Sequence, residues 1–159
     1  MSDIKQDQLY QQIILEHNKR PRNYYQPQDF THSAEGYNPL CGDHIWIYLK
    51  LTPDETLDEV CFQGEGCAIC KSSASIMTTA LKGKKKQEAE GVIDNFQRMI
   101  KGELSPEAAQ PLLGKLSVFT GVWKFPARIK CASLAWHTIT GALHHTQQVS
   151  TEENEDSVS

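Results

Sequence analysis

Ile45-Trp46-Ile47-Tyr48-Leu49-Lys50-Leu51 alternates branched aliphatic side chains with larger or charged ones. This two-residue period constrains the fold more than any other feature, because it is the period of a strand with two unlike faces. Thr52-Pro53-Asp54-Glu55 supplies turn chemistry, and Leu57 to Gln63, with Val60 and Phe62 on one face, reads as the return strand. An antiparallel hairpin is therefore expected, ended by Gly64-Glu65-Gly66.

The other periodic segments are helical. An opening helix over 3–20 places Leu9, Tyr10, Ile13, Ile14 and His17 on one side and stops at Pro21. Ser72 to Leu81 buries Ile76, Met77, Ala80 and Leu81 and ends at Gly83; Gln87 to Ile100 carries Val92, Ile93, Phe96 and Ile100 in register. A short helical piece runs from Pro106 to about Leu113, and a last helix from Pro126 to about His145 bears the stripe Ile129, Ala132, Trp136, Ile139, Leu143. Residues 23–38 have no period and read as an ordered arm that Tyr24, Tyr25 and Phe30 pin to the body. Lys82, Lys84, Lys85 and Lys86 read as a solvated connection. The expectation is an α/β (α+β) fold: a small antiparallel sheet of about three strands with helices packed on one face.

With 159 residues and a 39% apolar fraction, the chain suits one domain over 1–150 with a modest core. Lysine and arginine number 16 against 20 acids, and the net charge of −4 is accounted for by Glu152, Glu153, Glu155 and Asp156. A neutral body offers no general attraction for nucleic acid or an anionic membrane. Residues 151–159 read as a disordered acidic tail. No apolar run approaches the ~20 residues of a membrane span, and the polar start is unlike a secretory signal, so a cytoplasmic location is expected. In a reducing compartment, Cys41, Cys61, Cys67, Cys70 and Cys131 suggest metal or thiol chemistry before disulfides.

Cys41-Gly42-Asp43 puts two anionic ligands around a glycine that eases a turn. Cys67 falls where strand gives way to helix, and Cys131 in the first two turns of the last helix, positions that favour thiolates. Three thiolates and a carboxylate from three segments suit tetrahedral zinc. Cysteines that are merely small buried hydrophobes are the alternative at this point.

Three segments together resemble a known family: Asn38-Pro39-Leu40-Cys41-Gly42-Asp43; Gly64-Glu65-Gly66-Cys67 followed by Ser72-Ser73-Ala74-Ser75; and Lys124-Phe125-Pro126-Ala127-Arg128-Ile129-Lys130-Cys131-Ala132. In this order they resemble the signatures of the IscU/NifU-like iron–sulfur cluster assembly family over about residues 4–145. They look most like its SufU branch, because Lys130 stands where IscU scaffolds carry histidine and an extra segment occupies about 101–120. The resemblance implies zinc ligation by Cys41, Asp43, Cys67 and Cys131. It further implies acceptance of persulfide sulfur from a SufS-like cysteine desulfurase, stimulation of that enzyme, and downstream cluster-assembly partners.

Zinc quiets the thiolates it holds, so one ligand must be released to act as acceptor, and Cys41, on a glycine-containing loop, is expected to be that thiol. Arg128, one turn before Cys131, could offset negative charge at the site, and Lys130 is near but directed elsewhere. Two other functions remain open: a scaffold assembling a transient iron–sulfur cluster on the same ligands, and a structural zinc module that only docks a partner. Cys61 reads as structural; Cys70 reads as a packed thiol or an accessory sulfur relay. His44 reads as a solvent-facing strand residue or a substitute ligand. Gly64-x-Gly66 lacks the third glycine and the βαβ context of a dinucleotide loop.

Overall fold

The computed structural model describes residues 2–151, with side chains from residue 8 onward. The alternating run becomes strand β2, Asp43–Leu51, paired antiparallel on one side with β3, Leu57–Glu65, and on the other with β1, His32–Asn38. A three-residue strand β4, Gln148–Ser150, lies parallel to β1 and completes the order β3-β2-β1-β4. Inward residues pair across the register, Ile47 with Phe62 and Leu49 with Val60, and all are buried. The fold class is as expected, with a fourth, parallel strand added at the edge.

Strand β1 lies inside the segment read as an aperiodic arm. Its inward residues are Ala34, Gly36 and Asn38 rather than large aliphatics, so hydrophobic periodicity does not reveal it. The cause is a helix pressed directly upon it: a Cβ on Gly36 would collide with the Thr138 hydroxyl and lie 3.2 Å from Leu134 Cδ1. The rest of the arm is pinned as expected. Tyr24 meets Phe62 edge-on at 5.1 Å, Phe30 tilts over Tyr48 at 5.2 Å, and Tyr25 donates to Glu59 Oε2 at 3.1 Å.

Five helices follow the expected segments: α1 Ser2–Lys19, α2 Ala68–Leu81, α3 Lys86–Ile100, α4 Pro106–Leu113 and α5 Pro126–Leu143. Helix α2 begins four residues before the expected Ser72, because Cys67 itself caps it. Helix α5 ends at Leu143, where His145 takes a left-handed φ of 60° and Thr146 N donates to Gly141 O at 2.7 Å. Between α4 and α5, Gly114–Lys124 forms a 3₁₀ segment that buries Leu116, Val118, Phe119 and Val122, so the extra segment is part of the core.

Helix α5 is the central packing element. Its Trp136 stacks on Phe96 of α3 at 4.0 Å, and Trp136 Nε1 donates to Ser73 Oγ of α2 at 2.9 Å. The register between α5 and α2, which carry two of the cysteines, is therefore set by a buried polar contact as well as by packing. The lysine connection is held to the β2–β3 turn by backbone hydrogen bonds, Lys86 N to Glu55 O and Leu57 N to Lys84 O, both at 2.8 Å, and the exposed Lys85–Asp54 and Lys86–Glu55 pairs at 3.9 Å contribute little.

Thr151 is buried: its N–H donates to Tyr37 O at 3.0 Å and its hydroxyl to Asn38 Oδ1 at 3.2 Å. Residues 152–159, which carry the acids of the expected tail, lie outside the described residues. No helix among the described residues is long and apolar enough to cross a membrane.

Candidate metal centre

Pro39, Leu40, Cys41 and Gly42 form the turn between β1 and β2. Gly42 adopts φ 73°, the left-handed conformation that glycine enters without a Cβ penalty, and Cys41 N donates to Asn38 O at 3.2 Å. Cys41 is exposed on this turn, whereas Asp43, the first residue of β2, is buried. Cys131 projects from α5 and is also buried. The ligand atoms of Cys41, Asp43 and Cys131 lie within 4.8 Å of one another, and Cys131 Sγ is 3.4 Å from Cys41 Sγ.

Cys67 borders this trio. It is the N-cap of α2, accepts from Cys70 N at 3.4 Å, and its Sγ is 3.9 Å from Asp43 Oδ2. Its own N–H donates to Asp43 Oδ1 at 2.8 Å, while Asn38 Nδ2 donates to Asp43 Oδ2 at 3.0 Å and to Cys131 Sγ at 3.6 Å. Both carboxylate oxygens are thus engaged, which fixes the plane of the group. Gly66 permits the approach: a Cβ there would lie 2.6 Å from Asp43 Oδ1.

The thiols share their protons unequally. A hydrogen bond from Cys131 is the main influence holding Cys67 down to about 7; burial opposes it and the Cys70 N–H assists. The Cys131 thiol is pushed far up, chiefly by that same bond to Cys67, with burial and the bond to Cys41 adding to it. Burial pushes the Cys70 thiol well above the ordinary range, and Cys61 up to about 11. Cys61 faces away from the centre, its Sγ 3.8 Å from Tyr48 O, as expected of a structural residue.

Three sulfur donors and one carboxylate drawn from three chain segments are a donor set that accepts zinc or iron. Cys41, Asp43 and Cys131 are therefore close enough together to bind a metal ion, and Cys67 lies beside them. Asn38 and Gly66 shape it without appearing among the expected ligands. Their signal in the sequence was a place in the motif segments around Cys41, Asp43 and Cys67, since neither brings a titratable group.

His44 is held away from the ligand cluster. Its Nε2 pairs with Glu35 Oε2 at 2.6 Å, and its ring lies between those of Tyr37, at 4.2 Å, and Trp46, at 4.0 Å. The Arg128 guanidinium lies over the Phe125 ring at 4.3 Å. It lines a cleft of about 260 Å³ with Tyr10, Trp123 and Phe125. Burial is the main reason the Tyr10 pKa is raised, and the neighbouring Arg128 works against it. Lys130 is half-buried, one residue before Cys131.

Residues 9–150 match the family described as NifU-like N terminal domain. The iron-sulfur cluster assembly scaffold protein IscU of Streptococcus pyogenes serotype M1 is 38% identical over 143 residues, 90% of this chain and 87% of that one. The zinc-dependent sulfurtransferase SufU of Bacillus subtilis (strain 168) is 41% identical over 133 residues, 84% of this chain and 88% of that one. A crystal structure from Fervidobacterium islandicum AW-1, described as a candidate scaffold protein for the SUF system, superposes with a TM-score of 0.78 at 31% identity, covering 86% of this chain and 97% of that one. With a family match that begins in α1, ends in β4 and encloses every cysteine, the chain belongs to the NifU-like N-terminal domain family of iron–sulfur cluster assembly proteins.

Proposed function

We propose that this protein is a SufU-type sulfur acceptor with a zinc centre, which takes persulfide sulfur from a SufS-like cysteine desulfurase, stimulates that enzyme, and hands the sulfur on for cluster assembly in the cytoplasm. The observation that carries the reading is the inequality of the three thiols. Cys41 is exposed on a glycine-containing turn, while Cys67 and Cys131 are held on helices and at least half-buried. Zinc held by Cys41, Asp43, Cys67 and Cys131 would join the three segments and keep the thiols deprotonated.

The transfer requires a reachable thiolate. The Cys41 thiolate attacks the outer sulfur of the partner's persulfide, the partner's S–S bond breaks, its cysteine leaves as a thiolate, and Cys41 carries the new S–SH group with no net redox change. The turn bearing Cys41 is exposed and lies outside any helix or strand, which is the physical reason to assign the acceptor role there. Arg128 and Lys130, near the base of the helix that bears Cys131, supply positive charge at this end of the fold; Arg128 also presents a cationic face to a partner. The relationship to the Bacillus subtilis protein and Lys130 before the last cysteine support this branch of the family.

Intact-mass and metal analysis after mixing with a cysteine desulfurase and cysteine tests the reading. One added sulfur that maps to Cys41, with zinc retained, is expected, and Cys41→Ala is expected to remain folded but to stimulate nothing. Full stimulation by Cys41→Ala would refute the acceptor role. A second reading, assembly of a transient iron–sulfur cluster on the same donors, is favoured by the scaffold description of the Streptococcus relative. Iron and sulfide appearing together on the protein with a visible charge-transfer band would select it.

A further inference from the structure

We infer that Asn38 is a positioning residue that decides which thiol takes up sulfur, an inference that rests on the acceptor reading above. Asn38 is fully buried at the inward end of β1, and its groups reach three parts of the centre at once. Its backbone carbonyl accepts from Cys41 N at 3.2 Å; its Nδ2 donates to Asp43 Oδ2 at 3.0 Å and to Cys131 Sγ at 3.6 Å. The amide orientation follows from chemistry, because a carboxylate only accepts and the Thr151 hydroxyl, 3.2 Å from Oδ1, donates. Thr151 is itself held to β1 through its N–H on Tyr37 O, so this residue sets the direction in which the amide points.

The consequence is a difference in sulfur basicity. Cys67 receives an N–H from Cys70 and Cys131 receives one from Asn38. Among the described residues, the hydrogen bond that reaches Cys41 Sγ comes from the Cys131 thiol. An N–H directed at a thiolate draws off charge and lowers its nucleophilicity, and a new S–S bond must form at the expense of that contact. Cys67 is quieted by a backbone group that no side-chain change removes. Cys131 is quieted by the side-chain N–H of Asn38. Without the Asn38 amide, Cys131, 3.4 Å from Cys41, becomes a competitor for the same sulfur.

The test uses the full-length zinc protein with inorganic tetrasulfide as the sulfur donor, from which a thiolate takes one terminal sulfur as the adjoining S–S bond breaks and trisulfide leaves, followed by alkylation and peptide mapping of one-sulfur adducts. Wild type is expected to carry the adduct on Cys41 over Cys131. In Asn38→Leu that preference falls by roughly 10–100-fold, the scale typical of lost contacts to metal ligands. Thr151→Val, which removes only the group that aligns the amide, shifts the preference the same way by a smaller factor and decides the matter if Asn38→Leu does not fold.

A second readout is independent of sulfur uptake. In the cobalt(II)-substituted protein the sulfur-to-cobalt charge-transfer band moves to lower energy in both variants, because a thiolate without its hydrogen bond gives up electron density more readily. An unchanged adduct distribution together with an unchanged band in folded variants overturns the inference. A wild type that accepts no sulfur from a desulfurase on any thiol overturns the acceptor reading instead, and the cobalt band then still decides whether Asn38 acts on Cys131.

Discussion

Replacing Gly66 by alanine isolates the contact on which the centre's carboxylate depends. The backbone of Gly66 lies outside the left-handed region, so alanine brings no dihedral strain, and the change alone would stabilise by ~0.4–1 kcal/mol through the unfolded chain. Against this, the new Cβ would sit 2.6 Å from Asp43 Oδ1 and 3.1 Å from Cγ. Asp43 cannot yield cheaply, because it is buried and bonded at both oxygens, to Cys67 N at 2.8 Å and Asn38 Nδ2 at 3.0 Å. Turning the carboxylate away sacrifices at least one hydrogen bond to a charged group, about 1.5–3 kcal/mol. The net expectation is a loss of about 1–2 kcal/mol in the metal-free protein, with zinc affinity weakened roughly 10–100-fold. Urea unfolding with and without zinc, and competition with a chelator, measure the two. Gly91→Ala is the control: it lies within α3, its Cβ meets nothing within 4 Å, and it should gain about 0.8–1 kcal/mol. A Gly66→Ala protein as stable as the Gly91→Ala protein, with wild-type zinc affinity, would refute the steric account.

Two further outcomes follow from burial. Cys70→Ser keeps the N–H that caps Cys67 but places a hydroxyl where the thiol is 1% exposed, so stability should fall by ~1–3 kcal/mol while zinc stoichiometry and the cobalt spectrum stay unchanged; a lost equivalent of zinc would instead make Cys70 a ligand. His17, His32 and His137 are each held below the ordinary histidine pKa of 6.5, burial being the first cause in every case. The unfolded chain then binds more protons below about pH 6.5, so their contribution is complete above that pH and is lost as pH falls. Urea midpoints of the metal-free protein should drop between about pH 7.5 and 5.5, less steeply in His137→Gln, and a midpoint that rises on acidification would contradict this.

Wherever a segment meets its environment through large apolar side chains, its structure was readable from the sequence. The β2–β3 hairpin and the buried stripes of α3 and α5 carry their periods openly. Strand β1 does not, because its inward side is built from Ala34, Gly36 and Asn38 to admit α5 at close range; smallness is a response to a neighbour that lies about a hundred residues away in the chain. Strand β4 is three residues long and has no period to show; its position is set by β1. The 3₁₀ segment buries Leu116, Val118 and Phe119 at a spacing that fits neither a strand face nor an α-helical stripe.

The sequence by itself determined the chemistry available to this protein: which side chains can be thiolates or carboxylates, which of them precede or open a helix, and that Gly42 lets a turn separate Cys41 from Asp43. Covalent identity and local backbone preference suffice for that. Only the tertiary structure decided how those groups differ from one another. Packing of α5 against β1 and α2 brings Cys131 to 3.4 Å from Cys41 and leaves Cys67 at the border of the trio. The packing then leaves Cys41 exposed, while hydrogen bonding holds the Cys67 thiol down and pushes the Cys131 thiol up. Reactivity here depends on distances of a few ångströms between residues about ninety positions apart, and those distances arise only when the helices and sheet bury their apolar faces together.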